Sequence, residues 1–359
     1  MLTGILFGSS NFISLGRVIP VTDYPPAHPA SCQHFCVKVV VDLAKILYYK
    51  TETMKAVICS QYGPPDVLQI EEVAKPKPNP NQLLVRVAAS AVNSGDVRVR
   101  KLDVKGLMKI IMRLVLGISK PRKPILGTVY AGVVETVGDK VSTFKPGDKV
   151  FGMSGFDFGA HAEYIVINQN RNVIKMPANA SFEEAAAIIF GGQTAIYFLD
   201  KLKIDRKPNQ KILIIGATGS VGSAAIQIAK YYRADVTAVC SSQGQYLVNE
   251  LGITDIVLYD KESFTSRTDK FDIIFDAIGK YSKNECKKLL KKKGMYKSVN
   301  GTEYASEKKQ QLQLLKELFE KNAFKAIIDK TFRMDEIREA HWYVESGRKK
   351  GNVVLRMGE

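Results

Sequence analysis

A chain of 359 residues with 45% hydrophobic and 25% charged residues has globular composition and enough length for two cored domains, which excludes disordered and collagen-like polymers. Five cysteines are too few for a disulfide framework and point to a reducing compartment, read here as cytoplasmic. No run reaches the ~18 uncharged apolar residues of a spanning helix, and four histidines (His28, His34, His161, His341) cannot form an HExxH helix. The net charge of +16 raises the question of nucleic acid. The basic residues are scattered, however, apart from Lys287, Lys288, Lys291, Lys292 and Lys293, which read as a solvated helix end. No RNP-like aromatic string or finger spacing accompanies them, so the excess points to polyanionic ligands, phosphorylated cofactors included.

Residues 1–53 differ from the rest. They hold an apolar start, a Pro-rich stretch from Tyr24 to Pro29 and an apolar run from Val37 to Tyr49, with four Lys/Arg against three Asp/Glu. Met1–Phe7 has no basic n-region of a secretory signal. His28, Cys32, His34 and Cys36 match no paired-cysteine metal spacing. Met54 runs at once into the strand-like Lys55–Cys59, so Met54 is expected to be the natural start and residues 1–53 either an appendage, non-native or disordered, or the product of a misplaced start codon. From Met54 to about Met176, short apolar runs (Leu83–Ala88, Ala131–Val137, Asp148–Met153, Ala162–Ile167) alternate with turns at Gly138-Asp139 and Pro146-Gly147-Asp148. This predicts a barrel-like β domain, with one helical insertion at Lys105–Leu116 beside the cleft.

After Pro177 the period changes. Ser181-Phe-Glu-Glu184 is a capping box before a helix over Ala185–Leu199. Strands then alternate with helices: strand Lys211–Ile215, helix Ser220–Tyr231, strand Asp235–Cys240, helix Gln243–Leu251, a short strand near Ile256, strand Phe271–Phe275, helix Tyr281–Leu290 and strand Met295–Val299. That order predicts a doubly wound parallel sheet. A helix over Glu307–Lys321 and a strand at Val353–Leu355 follow. The expected domains are 54–180 with 322–359, and 181–321.

Strand Lys211–Ile215 runs straight into Gly216-Ala-Thr-Gly-Ser-Val-Gly222 and then a helix, the context that makes a glycine motif a dinucleotide fingerprint. Gly219 admits the pyrophosphate and Gly222 the helix–strand contact, while Ala217 replaces the first fingerprint glycine. Ala217, Thr218, Gly219, Ser220, Val221 and Gly222 are thus the candidate phosphate loop, with helix-start amides and dipole holding the anion. The second strand ends in Val239-Cys240-Ser241-Ser242-Gln243, without the carboxylate that accepts the ribose hydroxyls of NAD. Ser241 and Ser242 can donate to a 2′-phosphate or simply cap the next helix. NADPH is favoured on this ground, with NADH left open.

Six ordered segments carry a resemblance over 54–359: Gly63-Pro-Pro-Asp-Val-Leu68, Ala91-Val-Asn93 with Asp96, Gly127-Thr128 with Ala131-Gly-Val-Val134, Phe144-Lys-Pro-Gly-Asp148, the phosphate loop, and Phe275-Asp-Ala-Ile-Gly279. The chain resembles the medium-chain dehydrogenase/reductase superfamily, in its zinc-independent, zeta-crystallin-like quinone-oxidoreductase branch. The resemblance implies a GroES-like β-barrel domain plus a Rossmann domain, with the cofactor between them. Zinc relatives carry Cys at the position of Asn93, His-Glu at Thr128-Val129 and another Cys near Phe190, so no zinc is expected. Reducing a simple ketone builds an alkoxide-like oxygen, pKa about 16; a quinone or enone gives one near 10. The gap of about 6 units is about 8 kcal/mol, against ~3 kcal/mol per well-placed hydrogen-bond donor. A conjugated carbonyl or quinone is therefore the expected substrate.

The resemblance implies site residues by position. Asn93 and Asp96 are expected in a loop facing the nicotinamide. Arg98 stands where many members have Tyr, either stabilising an enolate or pairing at the surface, with solvent or an Asp96–Arg98 pair as proton donor. Thr194 matches a nicotinamide contact and Tyr259 a residue flanking the adenosine phosphate. Ala277, Ile278 and Gly279, with Ser298, Val299 and Asn300, match loops touching ribose and carboxamide; Asn352 matches a pyrophosphate contact. Only Gly301–Ser306 separate the last predicted strand from the next helix, where relatives place a dimer-forming edge strand, so a homodimer is left open. The alternatives are a reductase of enoyl thioesters and a non-enzymatic NADPH- and RNA-binding protein.

Overall fold

A computed structural model describes residues 52–103, 107–300 and 303–358. The reading of residues 1–53, with His28, Cys32, His34 and Cys36, falls almost wholly outside them. In chain order the elements are β1 (Thr53–Cys59), β2 (Leu68–Ala74), β3 (Gln82–Val92), α1 (Ser94–Lys101), α2 (Leu107–Leu116), β4 (Val129–Val137), β5 (Lys149–Met153), β6 (Tyr164–Asn168), β7 (Val173–Lys175) and α3 (Phe182–Lys201). There follow β8 (Lys211–Ile215), α4 (Ser220–Tyr231), β9 (Asp235–Cys240), α5 (Gln245–Glu250), β10 (Ile256–Leu258), β11 (Phe271–Asp276), α6 (Lys283–Cys286), β12 (Leu290–Ser298), α7 (Lys309–Glu320), β13 (Ile328–Arg333), α8 (Ile337–Glu345) and β14 (Asn352–Arg356). The architecture is a GroES-like barrel-type sheet joined to a Rossmann-type parallel sheet.

The first sheet runs β13-β14-β3-β4-β5-β7, with β6 also on β3 and the β1–β2 hairpin bridged to it at Ala56–Ala162 and Ile58–Ile125. Strand β3 serves three partners because its register shifts at Leu84/Val85 and Val87/Ala89 let it bend. The second sheet runs β10-β9-β8-β11-β12, every pair parallel. Its central strands are near-continuous apolar runs, as expected of strands covered on both faces. From β8 the chain winds to β9 and β10, then crosses back to β11. The order therefore reverses between β8 and β11, and the crevice at their carboxyl ends is where such sheets take ligands.

Helix α3 links the two sheets. Ser181 and Glu184 cap it reciprocally, and Ala, Ile, Phe and Leu along its length are buried against β3, β4, β5, β14, α4 and α7. Gly191 and Gly192 permit those contacts: a Cβ on Gly191 would collide with the Ser220 carbonyl, and one on Gly192 with Leu315.

Several sequence expectations are corrected. The helix expected over Tyr281–Leu290 stops at Cys286 and tightens into a 3₁₀ turn, because Leu290 already pairs with Phe271 as β12. Lys291–Lys293 thus lie on an edge strand rather than a helix end, and lysines there discourage pairing with foreign edges. The helix expected from Gln243 begins as a 3₁₀ turn at Ser242–Gly244. Strand β13 and helix α8 were not anticipated; the strand's polar, half-exposed Ile-Asp-Lys-Thr-Phe-Arg carries no apolar run.

Candidate functional site

The carboxyl end of β8 runs into the candidate phosphate loop. Gly216, at φ +78°, turns the chain in a conformation that glycine adopts freely, and the Gly216 and Ala217 amides donate to the Val239 carbonyl. Gly219 occupies the N-cap of α4 without a side-chain cap, so the turn presents first-turn amides and the positive dipole end of a twelve-residue helix. Predicted residues Ala217, Thr218, Gly219, Ser220, Val221 and Gly222 all lie here. The C-terminal segment clamps them: the Gly351 amide donates to the Thr218 carbonyl at 2.7 Å, and the Ser220 hydroxyl donates to the Gly351 carbonyl at 2.8 Å. Lys349, which the sequence reading missed, donates to Ser220 Oγ at 2.6 Å. Burial pushes its ammonium down to about 8. This cradle of glycines, uncommitted amides and an adjacent cation fits a pyrophosphate.

At the end of β9, Ser241 and Ser242 enter the 3₁₀ turn without capping it through their side chains. A Cβ on Gly244 would meet Thr218, so this turn lies directly against the phosphate loop. Sequence inspection finds no carboxylate in the segment, yet the fold supplies one. Asp260 Oδ1 accepts the Ser242 amide at 2.9 Å, and this hydrogen bond is the leading cause holding its carboxyl below the usual range. The pairing of Leu258 with Cys240 delivers it. Neighbouring Tyr259 is exposed, its amide bound to the Cys240 carbonyl.

The third loop leaves β11. Buried Asp276 accepts the amides of Ile278 (3.1 Å), Gly279 (2.9 Å) and Tyr281 (2.9 Å) and the Ser298 hydroxyl (3.1 Å). It thereby organises Ala277, Ile278 and Gly279 together with Ser298, Val299 and Asn300. Asn300 Nδ2 donates to the Gly279 carbonyl at 2.9 Å. A Cβ on Gly216 would strike Ile278, which places this loop against the phosphate turn. Asp276 stood in a quoted motif without a role; its work is positional.

Asn93 is the connecting residue between β3 and α1, whereas Asp96, expected in the same loop, lies in the first turn of α1. Asn93 is the N-cap of α1: its Oδ1 accepts the amides of Gly95 (2.7 Å) and Asp96 (3.2 Å), and Asp96 Oδ2 accepts the Asn93 amide at 2.9 Å. The reason is that Asn-Ser-Gly-Asp satisfies a reciprocal capping box. Asn93 Nδ2 donates to Thr128 Oγ1 at 3.3 Å, and a Cβ on Gly95 would lie 3.7 Å from the Phe190 ring. The Asn93 amide, the Thr128 hydroxyl and the Phe190 ring thus lie close to one another at the start of α1. The expected Asp96–Arg98 pair does not form, since Asp96 is buried and Arg98 exposed with no carboxylate partner among the described residues. Thr194 is half-buried on α3. Asn352 donates to the Ile327 carbonyl and lines a narrow crevice with Gly191 and Ser220.

Beneath α1 lies a buried polar cluster. Arg100 donates to the Gly63 carbonyl, His341 Nδ1 and Glu345, and His341 meets His161 edge-to-face at 5.9 Å. Burial raises the Asp96 carboxyl to about 7 and lowers His161 to about 4; burial, then His161 and Arg100, lower His341 as well. Between about pH 4 and 6.5 the unfolded chain takes up a proton at His161 that the native chain refuses, and His341 acts in the same direction, whereas native Asp96 keeps a proton that the unfolded chain releases. Two against one, stability from these groups rises with pH to about 6.5, then falls as pH approaches 7 and Asp96 ionises. Asp96→Asn removes the opposing carboxylate. Urea unfolding at pH 8 is expected to show a gain of about 2 kcal/mol.

Among the described residues no three His, Cys, Asp or Glu side chains gather as a metal site, and no helix is long and apolar enough to cross a membrane. Residues 79–178 match the family described as alcohol dehydrogenase GroES-like domain, and residues 300–355 the one described as zinc-binding dehydrogenase. The chain is 32% identical over 321 residues to a 2-methylene-furan-3-one reductase of Solanum lycopersicum, covering 84% of this chain and 79% of that one. It is 29% identical over 321 residues, with the same coverage, to an NADPH-dependent alkenal/one oxidoreductase (chloroplastic) of Arabidopsis thaliana. A solved quinone oxidoreductase from Coxiella burnetii superposes with a TM-score of 0.77 at 26% identity, covering 86% of this chain and 100% of that one. With its two-sheet fold, its glycine turn at the sheet's switch point and these matches, the chain belongs to the medium-chain dehydrogenase/reductase superfamily.

Proposed function

We propose that this chain is a zinc-independent oxidoreductase that transfers hydride from NADPH to a quinone or an α,β-unsaturated carbonyl acceptor. The observation that carries the reading is the convergence of three loops, after β8, β9 and β11, at the point where the parallel sheet reverses. Relatives named quinone, alkenal/one and 2-methylene-furan-3-one oxidoreductases support the acceptor class. Residues 54–180 with 322–359 form the catalytic domain and 181–321 the dinucleotide domain, a division supported by the pairing of β14 with β3. Bound in the crevice, the dihydronicotinamide supplies the hydride.

The protein's part is orientation and charge. The phosphate turn and Lys349 hold the pyrophosphate end, Ser241, Ser242 and Tyr259 border the adenosine end, and Asp276 fixes the Ala277–Gly279 and Ser298–Asn300 loops beside the ribose and carboxamide. Thr194 and capped Asn93 border the nicotinamide, so most of the rate comes from proximity. Asn93, Thr128 and Phe190 offer no thiolate or imidazole, which leaves hydrogen bonds to carry the developing charge and favours an acceptor whose product oxygen is enolate- or phenolate-like. Exposed Arg98 is free to meet an enolate or an acidic substrate group, with the proton drawn from solvent. Buried free thiols at Cys59, Cys240 and Cys286 support a reducing, cytoplasmic setting.

Asp260 opposes a 2′-phosphate at the Ser242 turn, so the preference for NADPH over NADH is small. Steady-state assays with both dinucleotides against quinones, enones and acyl thioesters test the reading. Turnover is expected with the first two acceptor classes, and Asp260→Ser is expected to raise the NADPH/NADH ratio of kcat/KM about tenfold. Turnover confined to thioesters, failure to bind either dinucleotide, or stoichiometric zinc in the purified protein overturns it.

A further inference from the structure

Helix α2 and the turn after it expose apolar side chains to solvent in a helical array. Ile110, Ile111, Leu114 and Val115 recur at the i, i+1, i+4, i+5 spacing of one helical face, Ile118 follows beyond the turn at Gly117, and each is 44–67% exposed. The opposite face packs inward, with Met112 and Leu116 against Leu102, Val99, Tyr62 and Phe158. The exposed face is therefore a surplus over what the fold needs. Phe156, 62% exposed, extends the patch across a cleft of about 260 Å³ lined by Val115, Leu116, Pro121, Arg122 and Phe158. Contiguous apolar exposure on this scale marks an interaction surface.

Charge identifies the partner. The segment Val104–Lys123 contains six Lys/Arg and no Asp or Glu. Arg113, Lys120 and Arg122 are exposed with no carboxylate partner among the described residues; Lys123 pairs with Asp157 at 2.6 Å. A second copy of a chain with net charge +16 would bring the same cations face to face, and residues 1–53, with four Lys/Arg against three Asp/Glu, offer little complement. An apolar stripe flanked by cations matches the interface of an anionic lipid bilayer, where the stripe enters the acyl boundary and the cations meet headgroups.

We propose that the α2 face, Ile110 to Ile118 with Phe156, docks this protein reversibly on anionic membranes. The docking does not depend on the reaction assigned to the crevice. Co-sedimentation of the full chain with phosphatidylcholine vesicles containing about 30 mol % phosphatidylserine tests it. Binding is expected to be at least about tenfold tighter than to pure phosphatidylcholine and to weaken as salt screens the charge. The variant Ile110→Ser/Leu114→Ser/Ile118→Ser and, separately, Arg113→Glu/Lys120→Glu are each expected to lose at least about tenfold, with an unchanged thermal unfolding midpoint as the fold control. Three results overturn the proposal. The wild type stays in the supernatant with anionic vesicles; both variants bind as the wild type does, which moves the contact to another surface; or sedimentation velocity finds a self-associated wild type and a monomeric triple variant.

Discussion

Replacing Gly222 with valine is expected to weaken dinucleotide binding about ten- to a hundredfold. A Cβ at this position overlaps the Gly216 carbonyl oxygen and lies 2.8 Å from its carbon and 2.9 Å from the Ala217 Cα, all backbone atoms that no rotamer change can clear. Only displacement of α4 from the end of β8 makes room, and that displacement pulls apart the amides proposed to hold the pyrophosphate. Overpacking of this kind costs about 1–3 kcal/mol, which corresponds to about ten- to a hundredfold in affinity. Titration by quenching of intrinsic fluorescence measures it. Gly219→Ala is the informative contrast, because the nearest atom to its Cβ, the Gly216 oxygen, is 3.7 Å away. That variant is expected to keep the fold and its Tm, and to lose affinity only through the Cβ it places where the pyrophosphate approaches.

The largest loss of stability is expected from Arg100→Ala. The guanidinium is fully buried and serves the Gly63 carbonyl, His341 Nδ1 and Glu345 from one planar fork. Truncation strands a carbonyl and an imidazole in the interior and leaves Glu345 with Lys101 alone. The cost is about 3 kcal/mol or more, read as a fall of about 6 °C in Tm by calorimetry. Arg100→Lys is expected to recover little of it, since one ammonium cannot span three acceptors. Lys101→Ala, which removes only the more exposed partner of Glu345, is expected to shift Tm by less than about 2 °C.

The sequence exposes what is written locally and hides what is written at a distance. Strands β8 and β9 and helix α4 are legible to the residue, because apolar runs, a glycine turn and a helical period adjoin one another. The Ser181–Glu184 cap is likewise legible from four consecutive residues. The Asn93–Asp96 box has the same local form, yet the expected loop ends at Asn93 and Asp96 already belongs to a helix. Asp260 reaches Ser242 only because β10 lies beside β9, and Lys349 reaches Ser220 only because β14 returns to β3. Contacts of that span leave no periodicity along the chain. Strand β13 and helix α8 escaped for a related reason: they are held by packing onto β14 and β3 rather than by a strong pattern of their own.

The clamp of Gly351 on Thr218 and Ser220 carries a consequence for biosynthesis. The glycine turn after β8 and the β3 strand both wait for residues 349–356, some 130 and 260 positions downstream. During translation the nucleotide-binding half can build its parallel core early, but the ribosome must deliver the distal segment before the crevice has its second wall. Competence to capture a coenzyme is therefore a late event in the life of each nascent chain.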